Sequence, residues 1–198
     1  MTLEVFDDMQ QVSAEAVARL LPCVSEQRRT EALRYKHVQG QFACLKSYAM
    51  LHTLLVDKGV IAKDHYPEFI RNEHGKPTLV GFPEIHFNIS HCKDAIAVAI
   101  DTKPIGIDIE SIRQPSPALL SYTMSEAEIV EINQSPNPDQ SFTMLWTKKE
   151  ALFKYLSTGI CGDIPHLLDS IPPQVSLHTQ LHEDKQYALT IAMEGACC

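Results

Sequence analysis

The sequence of 198 residues has no long uninterrupted hydrophobic run. Charged residues break its longest apolar stretches well before the roughly 18 to 20 residues that a membrane-spanning helix needs. The first ten residues, MTLEVFDDMQ, are acidic and lack the cationic and apolar segments of a secretory signal. We therefore expect a cytoplasmic protein with no membrane partner.

Basic residues are also scarce, with 17 Lys and Arg against 25 Asp and Glu and a net charge of −8. A general nucleic-acid-binding protein needs a basic face for the phosphates, so we expect no nucleic-acid partner. An anionic ligand would need a local basic pocket. The richest basic segment, SEQRRTEALRYKH, carries Arg28, Arg29, Arg34 and Lys36. These residues fit either such a pocket or a solvated helix face.

The pattern of apolar residues predicts an α+β fold. Helices are predicted in SAEAVARLL, from Ser25 onward, in QFACLKSYAMLHTLLVDKG, in SEAEIVEI and in SFTMLWTKKEALFKYLSTG, the last ended by Gly159. Strands are predicted in IHFNIS, AIAVAI, IGIDIE, VSLHTQ and QYALTIAM. The first quarter of the chain is predicted to be helical, and the Gly- and Pro-rich segment 67–83 to be a loop with one short strand at most.

The order of these elements suggests two pseudosymmetric halves, residues 1–101 and 102–198, each a small antiparallel sheet packed with helices. A faint likeness between QFACLKSYAML and LWTKKEALFKYL agrees with a duplication. We expect a monomer with an internal pseudo-twofold axis.

In the segment IGIDIE, three isoleucines alternate with Gly106, Asp108 and Glu110. Successive side chains of a strand face opposite ways, so both carboxylates share one face, with Cα atoms about 6.6 Å apart. Two like charges on one face disfavour each other unless a cation neutralises them, and one oxygen from each can reach the same hard cation. Gly106 is expected to leave that face open for a ligand. The alternative is a half-exposed strand with an acidic outer face.

The helix in LWTKKEALFK carries Trp146, Glu150 and Lys154 at intervals of four residues, which places their side chains along one side of the helix. A neighbouring apolar stripe comprises Leu145, Lys149, Leu152 and Leu156. Packing of this stripe on a sheet would carry Glu150 to the sheet surface. Glu150 and Lys154 then form either a surface ion pair or part of a phosphate site. In such a site Glu150 would be a third carboxylate at a metal, with Lys149 and Lys154 beside it.

Two further motifs carry polar groups at strand and turn positions. GKP places Lys76 on a turn stiffened by Pro77, and NISHC places Ser90 and His91 at a strand end. A hydroxyl and an imidazole can both donate to an anion. Ser90 is not predicted to be a nucleophile activated by His91, because adjacent strand residues face opposite ways.

The motifs GKP, FNISH, GIDIE and WTKKEALFK, in this order, resemble those of the 4'-phosphopantetheinyl transferases, specifically the surfactin-type subfamily of two pseudosymmetric halves in one chain. The resemblance implies a transfer, dependent on Mg²⁺ with Mn²⁺ as a substitute, of the phosphopantetheine arm from coenzyme A. The acceptor would be a serine of an acyl or peptidyl carrier protein, and the second product adenosine 3',5'-bisphosphate.

The resemblance also implies roles for individual residues. The metal ligands would be Asp108, Glu110 and Glu150. The catalytic groups would be Glu150, as the base that takes the serine proton directly or through water, with Lys154 and His91. The coenzyme A phosphates would be faced by Lys149, Lys154 and His91, and the nucleotide site would be shaped by Lys76, Pro77 and Ser90.

The chain departs from the family pattern at the 3'-phosphate of coenzyme A. Gln41 and Phe42 stand where an arginine is common, so that one or more of Arg28, Arg29, Arg34 and Lys36 must substitute, and Arg28 and Arg34 are assigned to the coenzyme A site. Two other functions fit parts of the pattern. A non-catalytic coenzyme A or carrier-protein binding module would not need the whole acidic triad, and a metal-dependent phosphohydrolase would give no role to FNISH or GKP.

Overall fold

The computed structural model describes residues 1–73, 75–157 and 162–195. Within these ranges the α-helices are α1 Ala14–Leu20, α2 Glu26–Leu33, α3 Val38–Asp57, α4 Pro117–Thr123, α5 Glu126–Gln134 and α6 Pro138–Leu156. The strands are β1 Thr2–Phe6, β2 Phe69–Arg71, β3 Pro77–Leu79, β4 His86–His91, β5 Ile96–Asp101, β6 Ile105–Ser111, β7 Val175–His182 and β8 Tyr187–Glu194. No helix in the described part of the chain has the length and apolarity needed to cross a membrane.

Two three-stranded antiparallel sheets have the same arrangement, β1-β5-β4 in one and β6-β8-β7 in the other. In each sheet the strand that comes first in the chain is at one edge and the last strand is central. A long helix, α3 or α6, lies in the chain between the first strand and the others. The α+β class with small antiparallel sheets packed against helices is thus confirmed. The boundary at residue 101 and the twofold relation between the halves stay predictions.

The apolar faces of these sheets meet in a core formed by both halves. Ala95, which directly precedes β5, and Ala97 and Ala99 of β5 pack with the isoleucines of β6 and with the buried side chains of β8. Ile105, Ile107 and Ile109 are all almost completely buried. The predicted alternation of β6 is therefore correct, and its isoleucines face the core between the sheets.

The predicted helix starts are also confirmed at two capping serines. Ser25 Oγ accepts a hydrogen bond from Arg28 N at 3.3 Å at the start of α2. At α5, Ser125 and Glu128 form a reciprocal capping box, with Ser125 N donating to Glu128 Oε2 at 2.8 Å. Such a box satisfies two backbone donors that a helix start leaves unpaired.

The structure corrects three local predictions. Residues 2–6 form β1 on the edge of a sheet, although the first quarter of the chain was expected to be helical. The segment 67–83 contains two paired strands instead of one at most. Helix α4 begins at Pro117 after a Ser116 cap in a segment for which no helix was predicted, because proline suits the first helical position. The predicted end of α6 at Gly159 lies outside the described residues.

Candidate active site

Edge strand β4 of one three-stranded sheet lies beside edge strand β6 of the other. Asn88 Oδ1 accepts a hydrogen bond from Ile107 N at 3.2 Å, and Ser90 Oγ accepts one from Ile109 N at 3.3 Å. These side chains satisfy backbone donors of β6 that no neighbouring strand reaches on this side, as buried donors require. The junction therefore fixes the backbone on both sides of Asp108.

Asp108 is held by residues from both halves. Its Oδ1 accepts from Ser90 Oγ at 2.8 Å and from Lys154 Nζ at 2.7 Å, while Lys154 Nζ also donates to Ser90 Oγ at 2.9 Å. The side chain is 3% exposed, and its Oδ2 is buried with no hydrogen-bond partner in the described part of the chain. Because burial of an unpaired carboxylate oxygen is costly, this atom indicates a place for a cation.

Two further carboxylates share this environment. Burial, together with the charges of Asp108 and Glu110, raises the pKa of Glu150 to about 7, although Lys154 opposes that rise. Burial and then the charge of Asp108 raise the pKa of Glu110, and Arg113, Lys154 and a hydrogen bond to Trp146 oppose that rise. Three acidic groups thus face mainly one ammonium group, and the excess of negative charge favours a bound cation.

The donor set fits a hard divalent cation, which prefers carboxylate oxygens. The unpaired Oδ2 of Asp108 and the raised pKa values of Glu110 and Glu150 support that fit. Among residues 1–73, 75–157 and 162–195, however, no three His, Cys, Asp or Glu side chains form a ready-made metal site. The carboxylates therefore have to adjust their side-chain orientations to ligate one ion.

Gly106 does not leave the strand face open, contrary to expectation. A Cβ added to Gly106 would overlap the backbone of Ala151 and Tyr155, so α6 lies directly on β6 at this point. The glycine instead allows the close approach of helix and strand. That approach brings Glu150 and Lys154 beside Asp108.

Lys149 lies away from the position that the resemblance implied. It is completely buried, and its ammonium donates to Thr123 O at 2.8 Å, Glu128 Oε2 at 2.6 Å and Pro165 O at 2.9 Å. These three bonds use all the protons of an ammonium group, so none is left for a phosphate. Lys149 instead joins α6 to the turn between α4 and α5, as its place on the apolar stripe suggests.

A groove of two adjoining cavities leads away from the carboxylates. The first, of about 320 Å³, is lined by side chains that include Lys76, Asn88, Glu150, Phe153 and Lys154. The second, of about 300 Å³, is lined by side chains that include Arg28, Glu31, Tyr48, Phe69, Arg71 and His91. Both cavities share Pro77, Phe87 and Ile89. The two cavities therefore adjoin at these three residues and together extend between α6 and α2.

Most of the residues implied by the resemblance lie along this groove. Lys76 donates to the backbone carbonyls of Lys154 and Ile105, at 2.5 and 3.5 Å, and its burial lowers the pKa of the ammonium. Burial and then the positive charge of Lys154 lower the pKa of His91. Arg34 lines neither cavity, since it is exposed at the end of α2, and neither do Ser90, Asp108, Glu110 and Lys149.

Sequence reasoning missed four residues of the site. Tyr48, Arg71 and Glu31 line the second cavity, and Asn88 holds the junction beside Ser90. A signal existed for Asn88, because residues two apart in a strand share a face. No comparable signal marks the other three, whose positions depend on how α2, α3 and the β2–β3 hairpin pack together.

Comparison with known proteins identifies the family. Residues 104–195 match the model of the 4'-phosphopantetheinyl transferase superfamily. The 4'-phosphopantetheinyl transferase Sfp of Bacillus subtilis (strain 168) is 26% identical over 189 residues, which cover 94% of this chain and 80% of the relative. Another 4'-phosphopantetheinyl transferase of Bacillus subtilis is 31% identical over 152 residues, covering 75% of this chain and 67% of the relative. The psf-1 transferase of Bacillus pumilus is 27% identical over 198 residues, or 99% of this chain and 79% of the relative.

This chain belongs to the 4'-phosphopantetheinyl transferase superfamily. The similarity to the Bacillus transferases extends over nearly all of the chain, which confirms the predicted resemblance to the surfactin-type subfamily.

Proposed function

We propose that this chain transfers the 4'-phosphopantetheine arm of coenzyme A to a serine of an apo acyl or peptidyl carrier protein. The similarity to 4'-phosphopantetheinyl transferases supports phosphopantetheinyl transfer in general. The observation that carries the specific proposal is the junction of the halves. There Ser90 and Lys154 hold one oxygen of Asp108, and the other oxygen has no partner among the described residues.

Asp108, Glu110 and Glu150 would together hold Mg²⁺, or Mn²⁺ in its place. Such an ion would neutralise part of the negative charge of a pyrophosphate. Burial and the charge of Asp108 raise the pKa values of Glu110 and Glu150, so a bound cation would favour the ionised forms of both carboxylates.

The reaction breaks the bond between the bridging pyrophosphate oxygen and the phosphorus that carries the pantetheine arm. The serine oxygen forms the new bond to that phosphorus, and adenosine 3',5'-bisphosphate leaves. Glu150, whose carboxylate lies in the first cavity, accepts the serine proton directly or through water. Lys154 stabilises the negative charge that develops on the leaving phosphate.

The groove supports one orientation of coenzyme A. Because the bond that breaks lies in the pyrophosphate, this group belongs beside Glu150 and Lys154 in the first cavity. The adenosine then extends past Pro77 into the second cavity. There Tyr48 and Phe69 offer aromatic surface for adenine.

The test is the mass of an apo carrier protein after incubation with the chain, coenzyme A and Mg²⁺. A gain of one phosphopantetheine group supports the proposal, and Asp108→Asn serves as the inactive control. Coenzyme A binding with an unchanged carrier would favour the non-catalytic binding module. Cleavage of the pyrophosphate without a carrier would favour a phosphohydrolase.

A further inference from the structure

Threonine hydroxyls form a hydrogen-bonded series between α6 and its sheet. Thr147 Oγ1 and Thr190 Oγ1 lie 2.9 Å apart, and Thr190 Oγ1 and Thr179 Oγ1 are also 2.9 Å apart. Thr147 and Thr190 are completely buried, and Thr179 on edge strand β7 is half-buried. This threonine relay therefore connects α6 through β8 to β7.

The direction of the hydrogen bonds in the threonine relay is fixed at one end. Thr147 Oγ1 donates to Met144 O at 3.1 Å, because a carbonyl oxygen can only accept. A hydroxyl has one proton, so Thr147 must accept from Thr190, and Thr190 in turn must accept from Thr179. None of these protons is left for Asp108, whose Oδ2 has no hydrogen-bond partner in the described part of the chain.

The threonine relay lies in the same row of the sheet as Asp108. In the antiparallel ladders, Thr190 is directly opposite Asp108 on one side and directly opposite Thr179 on the other. Directly opposite residues project from the same face of a sheet. This face carries α6, since a Cβ added to Gly106, two residues before Asp108, would overlap the α6 backbone. A polar row thus extends under α6 from the candidate metal site to the edge strand.

Helix α6 is fixed to this face at two points. One is Thr147, through the threonine relay, and the other is Ala151, whose carbonyl oxygen lies against Gly106. Residues three apart are neighbours on a helix. Glu150 follows Thr147 by three residues, and Lys154 follows the second anchor by the same interval. The two anchors therefore set the positions of both site residues relative to β6.

Close packing alone does not require hydroxyls in this buried row. Valine is β-branched like threonine and would fill nearly the same space, and the net stability gained from a buried hydrogen bond is modest. Apolar contacts are not directional, so a helix on an apolar row can slide or rotate. Hydrogen bonds form only within a narrow range of distance and angle. The threonine relay therefore restricts the placement of α6 more than valines would.

We propose that the threonine relay positions Glu150 relative to Asp108, so that both carboxylates ligate one cation. This inference rests on the proposed function, since it takes the two carboxylates as ligands of Mg²⁺ or Mn²⁺. Thr147, Thr190 and Thr179 are positioning residues in this account. They act through the placement of α6 on the sheet.

The test is the affinity for Mn²⁺, measured by electron paramagnetic resonance without coenzyme A or a carrier protein. Thr190→Val breaks the threonine relay at its centre and should weaken Mn²⁺ binding by about tenfold, as loss of a contact that orients a metal ligand does. Thr190→Ser keeps the hydroxyl and should restore most of the affinity. Thr179→Val, at the half-buried end, should weaken binding in the same direction with less risk to folding.

The matched control is Thr143→Val. Thr143 is a buried threonine of α6, one turn before Thr147, and its hydroxyl donates to Asp139 O of the same helix at 2.7 Å. The substitution removes a buried hydroxyl from α6 without breaking the threonine relay. It should leave the Mn²⁺ affinity unchanged.

Three results would overturn the inference. The first is an unchanged Mn²⁺ affinity in Thr190→Val and Thr179→Val when circular dichroism shows that both are folded. The second is an equal loss of affinity in Thr143→Val, and the third is no recovery in Thr190→Ser, since each would indicate general destabilisation of α6.

Transfer to a carrier protein is measured in parallel, so that the two proposals can fail separately. Transfer by the wild type, with equal Mn²⁺ affinity in all variants, would overturn this inference and leave the proposed function standing. The expected pattern of Mn²⁺ affinities, without transfer by the wild type, would support this inference and contradict the proposed function.

Discussion

The carboxylate of Glu150 should destabilise the metal-free protein at neutral and alkaline pH. Its pKa rises from an ordinary value of 4.5 to about 7 in the folded protein. The unfolded chain therefore loses this proton near pH 4.5 and the folded chain only near pH 7. The protonated Glu150 carboxyl group therefore makes its full contribution to the stability of the folded protein below pH 4.5. That contribution is lost as the pH rises through 7.

The size of this effect follows from the shift. Each pKa unit corresponds to 1.36 kcal/mol, so the difference sets an upper bound of about 3 kcal/mol above pH 7. Glu150 is partly exposed, and solvent screening reduces the expected value to about 2 kcal/mol. Glu150→Gln removes the charge and keeps the shape. The variant should therefore be more stable than the wild type by about 2 kcal/mol at pH 8 and by less than about 1 kcal/mol at pH 5.

Urea unfolding in the presence of a chelator, at both pH values, measures this difference. The control is Glu131→Gln, an exposed glutamate on α5, which should change stability by less than about 0.5 kcal/mol. Added Mg²⁺ at pH 8 should stabilise the wild type more than Glu150→Gln, because the variant lacks a charged ligand. A variant that is no more stable than the wild type at pH 8 would refute the reasoning.

Three other changes test the packing and the site. Gly106→Ala should force α6 away from β6, lower the free energy of unfolding by about 2 kcal/mol and the melting temperature by several degrees, and reduce transfer. An unchanged melting temperature would contradict the close approach of α6 and β6. Lys149→Met should leave the largely buried Glu128 without its ammonium partner and lower the free energy of unfolding in urea by about 3 kcal/mol. The double variant with Glu128→Gln should recover part of that loss if the broken ion pair is its cause. Asp108→Asn should abolish transfer while circular dichroism stays native, and activity retained at saturating Mg²⁺ would remove Asp108 from the ligand set.

The parts of the fold with a strong local pattern could be predicted from the sequence. The alternation in IHFNIS, AIAVAI and IGIDIE identified β4, β5 and β6, and the segment SEAEIVEI, which begins at Ser125, identified the start of α5. The interval of four residues placed Glu150 and Lys154 on one side of α6. Each of these inferences depends only on residues a few positions apart, so short-range geometry was sufficient.

The remaining features depend on contacts between distant segments. Ser90 and Asp108 are 18 residues apart, and Lys154 is 46 residues from Asp108, yet they share hydrogen bonds. The function of Gly106 is visible only once α6 lies on β6. The partners of Lys149 come from three separate segments of the chain, so no local sequence pattern identifies them. Its position in the motif, taken alone, suggested a phosphate contact instead.

The most direct test of the central claim is mass spectrometry of an apo carrier protein incubated with this chain, coenzyme A and Mg²⁺. The site as described predicts a gain of one phosphopantetheine group on the carrier. It predicts no gain when the acceptor serine of the carrier is changed to alanine or when a chelator removes the metal. A carrier that remains unmodified with the wild-type chain and all components present, across several acyl and peptidyl carrier proteins, would contradict it.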